Sequence, residues 1–418
     1  MNSRPKRVAI IGGGPSGSAL GARLAGAGVK VAIFDPGKRP AIVVGESLVP
    51  AVVPFLRDLG IEDEVRGYST YKPGATFVLR CGDEVRNLRF DEIRGAGTTY
   101  SYNTPRDLLD ASILRAAQRA GAVLVPTSAR LEKHADGQRA VLCAESLEAA
   151  AEVFGGEQPD FVVDATGRRR LLGRLFDLPT KAGSRRDVAL HAHCESVGLV
   201  TDGNVHADVL ETGWAWRIPL PGRVSVGLVM NGDRLAQFGD TIEEQFDNYL
   251  AYDPVIRLWG GQAKRTTTVF RYNNYQMVSE RAFGPNWALL GDAFGFVDPV
   301  FSSGMVIGLD GAALLSHVLL SGAAPAELAK YEAHVRRHLE AWQRVVAHYY
   351  NGRLFTLFHM ADIARTFWIG RVMDLHFGRY LPRVFTGEAS NGRYAVWLLD
   401  FMCRRGLAHL DPSAMAVR

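Results

Sequence analysis

Cysteine is scarce in this chain. The four present (Cys81, Cys143, Cys194 and Cys403) form neither a C-x-x-C pair nor a framework spacing. That predicts a reducing, cytoplasmic setting and argues against a structural zinc site. No run of about 18 apolar residues occurs, which excludes a transmembrane helix. The nearest candidate, Phe355 to Val372, is interrupted by His359, Asp362, Arg365 and Arg371 and reads as an amphipathic helix. Charge of one sign is also missing. Forty-eight Lys and Arg against 44 Asp and Glu leave a formal charge of +4, too little to argue for nucleic acid. Met1 to Arg7 are polar and basic but lead into a strand and a glycine turn, not the apolar stretch of a signal peptide. Internal repeats and low-complexity segments are absent. What remains is 418 residues, 47% hydrophobic and 22% charged, enough for one large or two interleaved domains with a substantial core.

The first chemistry-bearing stretch follows a short apolar strand, Arg7 to Ile11. Gly12, Gly14 and Gly17 form G-x-G-x-x-G, with Pro15 and Ser16 inside it, and a small-residue helix Ser18 to Gly28 follows. A second strand, Val31 to Phe34, ends at Asp35. Glycines there let the backbone approach a pyrophosphate, the helix N-terminus meets its charge, and the acid bonds ribose hydroxyls. Gly45-Glu46-Ser47 stands where a flavin's ribose or ring edge is within reach, or where Glu46 caps a helix starting near Pro50. Arg106 and Asp110, at i and i+4 of a helix predicted over Asp107 to Ala120, are either a surface pair or a brace for the adenosine side.

Further along, a strand Phe161 to Val163 runs into Asp164-Ala165-Thr166-Gly167, a turn that brings backbone amides to a cofactor. Arg168 to Arg170 read as a solvated turn. From Leu190 to Met230 short alternating segments bounded by Gly and Pro predict antiparallel sheet. Within it, Trp214 and Trp216 stand at i and i+2 and share one face of a strand that Pro219 ends. A strand from Trp287 to Leu290 ends at Gly291-Asp292, with Asp292 placed to bond a ribitol chain. The turn through Pro299, Ser303 and Gly304 precedes a helix from about Met305 to Leu320 and presents free amides to an anion or ring atoms. No metal is predicted. His191 and His193 read as ordinary strand histidines, His334 and His338 as solvent-side helix residues, and Arg336-Arg337-His338 as a wet face.

Three of these motifs together resemble the flavoproteins of the p-hydroxybenzoate hydroxylase fold. They are the glycine loop, Asp164-Ala165-Thr166-Gly167, and Gly291-Asp292-Ala293 continuing to Asp298-Pro299. The resemblance implies an α/β, Rossmann-like FAD domain, an interleaved antiparallel-sheet substrate domain and a helical C-terminal part. Within that superfamily the chain resembles the flavin-dependent halogenases. Trp214-Ala215-Trp216-Arg217-Ile218-Pro219 completes their W-x-W-x-I-P signature, and Lys72-Pro73-Gly74-Ala75-Thr76-Phe77 matches their K-x-G-x-x-F setting.

The family's chemistry is to make hypohalous acid from reduced flavin, oxygen and chloride or bromide. That resemblance implies a halide site at the Ser303 and Gly304 amides, delivery of the acid to Lys72, and a tryptophan wall keeping substrate off the flavin. Free-tryptophan members carry a glutamate where this chain has Phe301. The departure favours a phenol or pyrrole, free or tethered to a carrier protein. Arg336, Arg337, Arg404 and Arg405 are candidates for a basic rim that an acidic carrier would meet. Reduced FAD is expected from a separate flavin reductase.

The expected boundaries are 1–70, 98–185 and 280–330 for the FAD domain, 71–97 and 186–279 for the sheet domain, and 331–418 for the helical part. Competing readings are a single-component aromatic hydroxylase, an isoprenoid-type flavin reductase and a degenerate binding protein. The first usually continues its Asp-Gly turn with a serine spacing missing after Gly167. The second does not require Lys72 or the tryptophans. The third is at odds with intact glycines.

Overall fold

The computed structural model describes residues 4–79, 82, 84–260, 263–407 and 409–417, so Cys81 lies outside the described residues. Its first layer is a five-stranded parallel sheet in the order Trp287–Leu289, Phe161–Asp164, Arg7–Ile11, Lys30–Phe34, Val123–Val125. Val8 to Ile10 and Val31 to Ile33 are fully buried. These are the continuous apolar runs expected of parallel strands covered on both faces. Helix Pro15–Gly26 begins at its proline, where a missing N–H costs nothing, and packs the glycine loop against the sheet.

The second layer is a nine-stranded sheet built mainly from Thr180–Glu195, Val205–Val209, Trp214–Leu220, Arg223–Asn231 and Phe270–Ser279, joined by Gly74–Leu79 and Glu84–Arg89. Its pairs are antiparallel except Val205–Val209 with Gly74–Leu79. The two faces have different partners. Trp214, Trp216 and Ile218 join the main core shared with the parallel sheet. Ala215, Val226 and Leu228 turn to a second core under helix Ile242–Tyr252. On that second face Arg217 and Asp208 form a fully buried bidentate ion pair, both N···O distances being 2.8 Å.

Several local expectations give way to tertiary context. Pro219 does not end its strand, which runs on to Leu220, because Pro219 faces Val224 in a hairpin closed at Gly222. The stretch Phe355 to Val372 is not one helix but parts of two, Arg353–Arg365 and Trp368–Tyr380. His338 is not on the solvent side. It is 3% exposed, because helix Pro325–Tyr350 is covered on that face by Gly304–Leu320 and the 387–391 turn. Nor is its neighbourhood a free wet face. Arg336 binds Glu332 and the carbonyls of Ser279 and Glu280, Arg337 binds Asn391, and Arg404 pairs with Asp400. Among the described residues no helix is long and apolar enough to cross a membrane.

Candidate active site

A cleft of about 600 Å³ opens where the C-terminal ends of the parallel strands meet the second sheet. That is where open α/β sheets place ligands. Gly12, Gly14, Pro15 and Ser16 line it, with Asp35 beside them. Gly12 has φ +110°, and a Cβ there would fall 2.4 Å from the Ala165 carbonyl oxygen, so only glycine fits. A Cβ on Gly14 would meet nothing within 4 Å, which leaves a backbone cradle open to a ligand. Ser47, Arg106, Thr166, Gly167, Asp292, Pro299, Gly304 and Met305 line the rest of it. Burial pushes the Asp292 pKa up to about 6, opposed by the charges of Arg106 and Arg168. A cleft bordered by the N-termini of the two helices Pro15–Gly26 and Gly304–Leu320 suits a dinucleotide.

Other expected contacts lie outside the cleft. Gly17 is a packing residue, since a Cβ would sit 2.1 Å from the Gly12 carbonyl oxygen. Gly291, at φ +60°, clears Ser16 in the same way. Asp164 turns inward, bonding the Thr166 amide at 2.9 Å, its hydroxyl at 2.6 Å and the Leu172 amide at 2.7 Å. It shapes the turn that Thr166 and Gly167 present. Asp35 lines the cleft, but its oxygens already accept from the amides of Gly13 and Gly37 and from Arg39. Arg39 also reaches the Gly13 carbonyl, a cleft residue with no motif to announce it. Arg106 and Asp110 are neither a surface pair nor alone: the ion pair is buried at 2.9 Å, and Arg106 also binds the Val44 carbonyl at 2.6 Å. Arg168 is not a solvated turn residue either, since its guanidinium stacks 4.1 Å over Tyr272, which lines the cleft.

Glu46 neither lines the cleft nor caps the turn at Pro50, whose N-cap is Val49. It pairs instead with His193, Oε1 to Nε2 at 2.8 Å, and lines a small hollow together with His191, Trp214 and Trp216. Burial holds the His191 pKa down to about 4, so that imidazole is neutral at ordinary pH.

Lys72 is the strongest departure from a surface reading. It ends strand Thr70–Lys72 at 2% exposure, and its Nζ donates to Ser47 Oγ at 2.8 Å and the Leu48 carbonyl at 2.6 Å. Burial lowers its pKa to about 7. Ser47 thus faces the cleft on one side and holds Lys72 on the other. Lys72 opens into a chamber of about 30 Å³, lined by Phe77, Phe90, Phe301 and Phe385 among others. Ser302, left-handed at φ +56°, borders the cleft, this chamber and the tryptophan hollow alike. Ser303 N-caps helix Gly304–Leu320 and is buried; the first amides of a helix have no intrahelical acceptor and are available to an anion.

The tryptophan wall is fastened to this turn. Trp214 Nε1 donates to Tyr350 Oη at 2.9 Å, and Tyr350 donates to Asp298 at 2.8 Å. Trp216 Nε1 donates to Ser225 Oγ at 3.2 Å. Tyr350 and Phe385 come from a region without motifs, and nothing in the sequence announces them.

The profile of the tryptophan halogenase family matches residues 7–90 and 83–359. The chain belongs to the tryptophan halogenase family. A flavin-dependent halogenase of Armillaria mellea is 30% identical over 73% of this chain, which spans 65% of that relative's length. A pyrrole-carbonyl peptidyl-carrier-protein chlorinase of Pseudomonas fluorescens is 27% identical over 86% of both chains. Among solved structures, the myxobacterial chondrochloren halogenase CndH is similar at TM-score 0.71 and 26% identity, covering 83% of each chain. The brominase Bmp2 shares the fold at TM-score 0.76 and 19% identity, over 98% of this chain and 99% of that one. Members of this family are FAD-dependent oxidoreductases, and the 600 Å³ cleft is the site whose residues fit FAD.

One described cluster has metal-ligand composition, Asp310 with His334 and His338. Burial works against the Asp310 charge, yet hydrogen bonds from both imidazoles hold its carboxyl below the usual range. Arg337 stands 3.4 Å from His334 Nδ1 and already supplies fixed positive charge there, so the cluster reads as an ion-pair hub joining three segments.

Proposed function

We propose that this chain is an FAD-dependent halogenase acting on an electron-rich aromatic, a phenol or pyrrole, with Lys72 as the catalytic residue. The observation that carries the reading is a buried amine that shares Ser47 with the cofactor cleft yet faces a separate, aromatic-lined chamber. FAD, bound in reduced form, supplies the two electrons with which oxygen and chloride or bromide become hypohalous acid. The chain's own residues do the rest. Gly12, Gly14 and Ser16 would hold the diphosphate, Thr166, Gly167 and Arg106 would bound the cofactor along the cleft wall, and Asp292 would meet the ribitol. The Ser303 and Gly304 amides hold the halide.

Trp214 and Trp216, anchored through Tyr350 and Ser225, keep the acceptor ring from the cofactor. Lys72 takes hypohalous acid with the one N–H or lone pair that Ser47 and Leu48 leave over. With a pKa near 7, both the ammonium, a hydrogen-bond donor, and the amine, a nucleophile, are present at neutral pH. A separate flavin reductase supplies reduced FAD. The relative that acts on a carrier-bound pyrrole supports a tethered acceptor here as well. The test is mass spectrometry of reactions holding FAD, a flavin reductase, NADH, oxygen and bromide with a panel of phenols and pyrroles. A product with bromine's isotope pattern is expected; hydroxylated product without bromine would move the protein to the monooxygenases.

A further inference from the structure

The Lys72 chamber is too small for the chemistry assigned to it. It encloses about 30 Å³, the share of one water molecule, whereas a cavity of about 150 Å³ takes a benzene. A ring cannot reach Lys72 unless a lining side chain leaves.

Most of the lining is fixed. Phe77 and Ala207 lie on strands held by ladders on both sides. Phe301 closes the turn Pro299–Phe301, which Asp298 caps, and its ring packs against Phe77, Trp342, Tyr349 and Phe385 at centroid distances of 5.5 to 6.4 Å. Phe385 differs. It ends the four-residue helix Pro382–Phe385, the last part of a helical segment bounded by Gly352 and Gly387. Both glycines are left-handed, at φ +75° and +82°. Within the segment Phe367, Trp368 and Leu375 are 65%, 74% and 60% exposed, so its outer part has little apolar packing. Its ends are held in the main core by Leu354, Phe355, Leu357, Leu381, Val384 and Phe385, and polar bonds run from Arg86 to Asp362 and from the Ala51 amide to the Thr386 carbonyl. Phe385 itself sits on a single helical turn beside the left-handed Gly387, so its ring can turn aside without a strand ladder being broken.

We propose that Phe385 is the specificity-determining residue of the acceptor site: its ring occupies the place of the acceptor ring, and its displacement sets the size of aromatic admitted to Lys72. This rests on the halogenase reading, but its test does not depend on turnover. Phe385→Ala and Phe385→Trp are compared with wild type on phenol and 2-naphthol. Brominated product is measured by mass spectrometry, and equilibrium binding of 2-naphthol by its own fluorescence. Phe358→Ala is the control, since Phe358 packs on Phe385 at 5.6 Å without lining the chamber.

Phe385→Ala should raise the 2-naphthol-to-phenol ratio of kcat/KM by roughly tenfold or more, and Phe385→Trp should lower it. Binding of 2-naphthol should tighten about tenfold in Phe385→Ala and change little in Phe358→Ala. A ratio and an affinity that stay within about twofold of wild type would overturn the proposal. So would an equal gain in Phe358→Ala, which would mark general loosening. If no acceptor is brominated by wild type, the halogenase reading fails on its own, and the binding series still decides whether Phe385 gates the chamber.

Discussion

The cofactor cleft and the Lys72 chamber adjoin across Ser47 and Ser302, yet they are built on opposite plans. The cleft is large, about 600 Å³, and its wall includes the glycines Gly12, Gly14, Gly45, Gly167 and Gly304 beside charged side chains such as Asp35, Arg39 and Arg106. The chamber is about 30 Å³ and its wall is side chains, drawn from the N-terminal part, the second sheet, the 300–302 turn and the C-terminal helices. A backbone wall recognises a constant ligand through amides that any sequence of the right shape presents. A side-chain wall is specific to one acceptor and changes with single substitutions. On the proposed function the two spaces divide the labour, one holding the common reagent and the other choosing its target.

Substitutions on either side of Ser47 should separate these plans. Lys72→Ala should reduce halogenated product by at least about a hundredfold while FAD binding and peroxide release persist; mass spectrometry beside a peroxide assay checks this, and retained product would remove Lys72 from the mechanism. Gly14→Glu should do the reverse. It should leave far-UV circular dichroism unchanged but abolish flavin retention, because its side chain enters the cradle that is open at Gly14. A yellow protein would refute the cradle.

A finer test uses pH. Burial depresses the Lys72 pKa from 10.5 to about 7, so the unfolded chain holds that proton more tightly than the folded one. The resulting destabilisation is full below pH 7 and fades as pH rises toward 10.5. Lys72→Met should accordingly raise the melting temperature most at pH 6 to 7, with the gain shrinking by pH 10. Halogenation should titrate near pH 7 in wild type and lose that limb in Lys72→Arg. A rising limb identifies the amine as the reactive form and a falling limb the ammonium. The smallest effect belongs to the wall: Trp214→Phe, which removes the bond to Tyr350, should cost about 1 kcal/mol in urea unfolding.

How legible each region was follows from the same contrast. Gly12 and Gly14 could be read because a strand, a tight turn and a helix N-terminus are local and their residue requirements are steric. Gly17 and Asp164 were read as ligand contacts because packing and turn-bracing roles leave the same motif as binding. Glu46 was misassigned for another reason. The local rule offered a helix cap, whereas its partner His193 lies 147 residues away in another sheet. His338 fell to the same cause, its burial depending on Asp310 and Ser390 from other segments.

From the sequence alone came the α/β class, the flavin motifs and the halogenase signatures at Lys72 and Trp214 to Pro219, since these rest on residue types at short, fixed spacings. Tertiary structure decided that Lys72 is buried with a pKa near 7, that Glu46 belongs to His193, and that Phe385 lines the chamber at Lys72. Burial and long-range contact are properties of the packed chain. They are set by which distant surfaces exclude water together, and no spacing along the sequence encodes that.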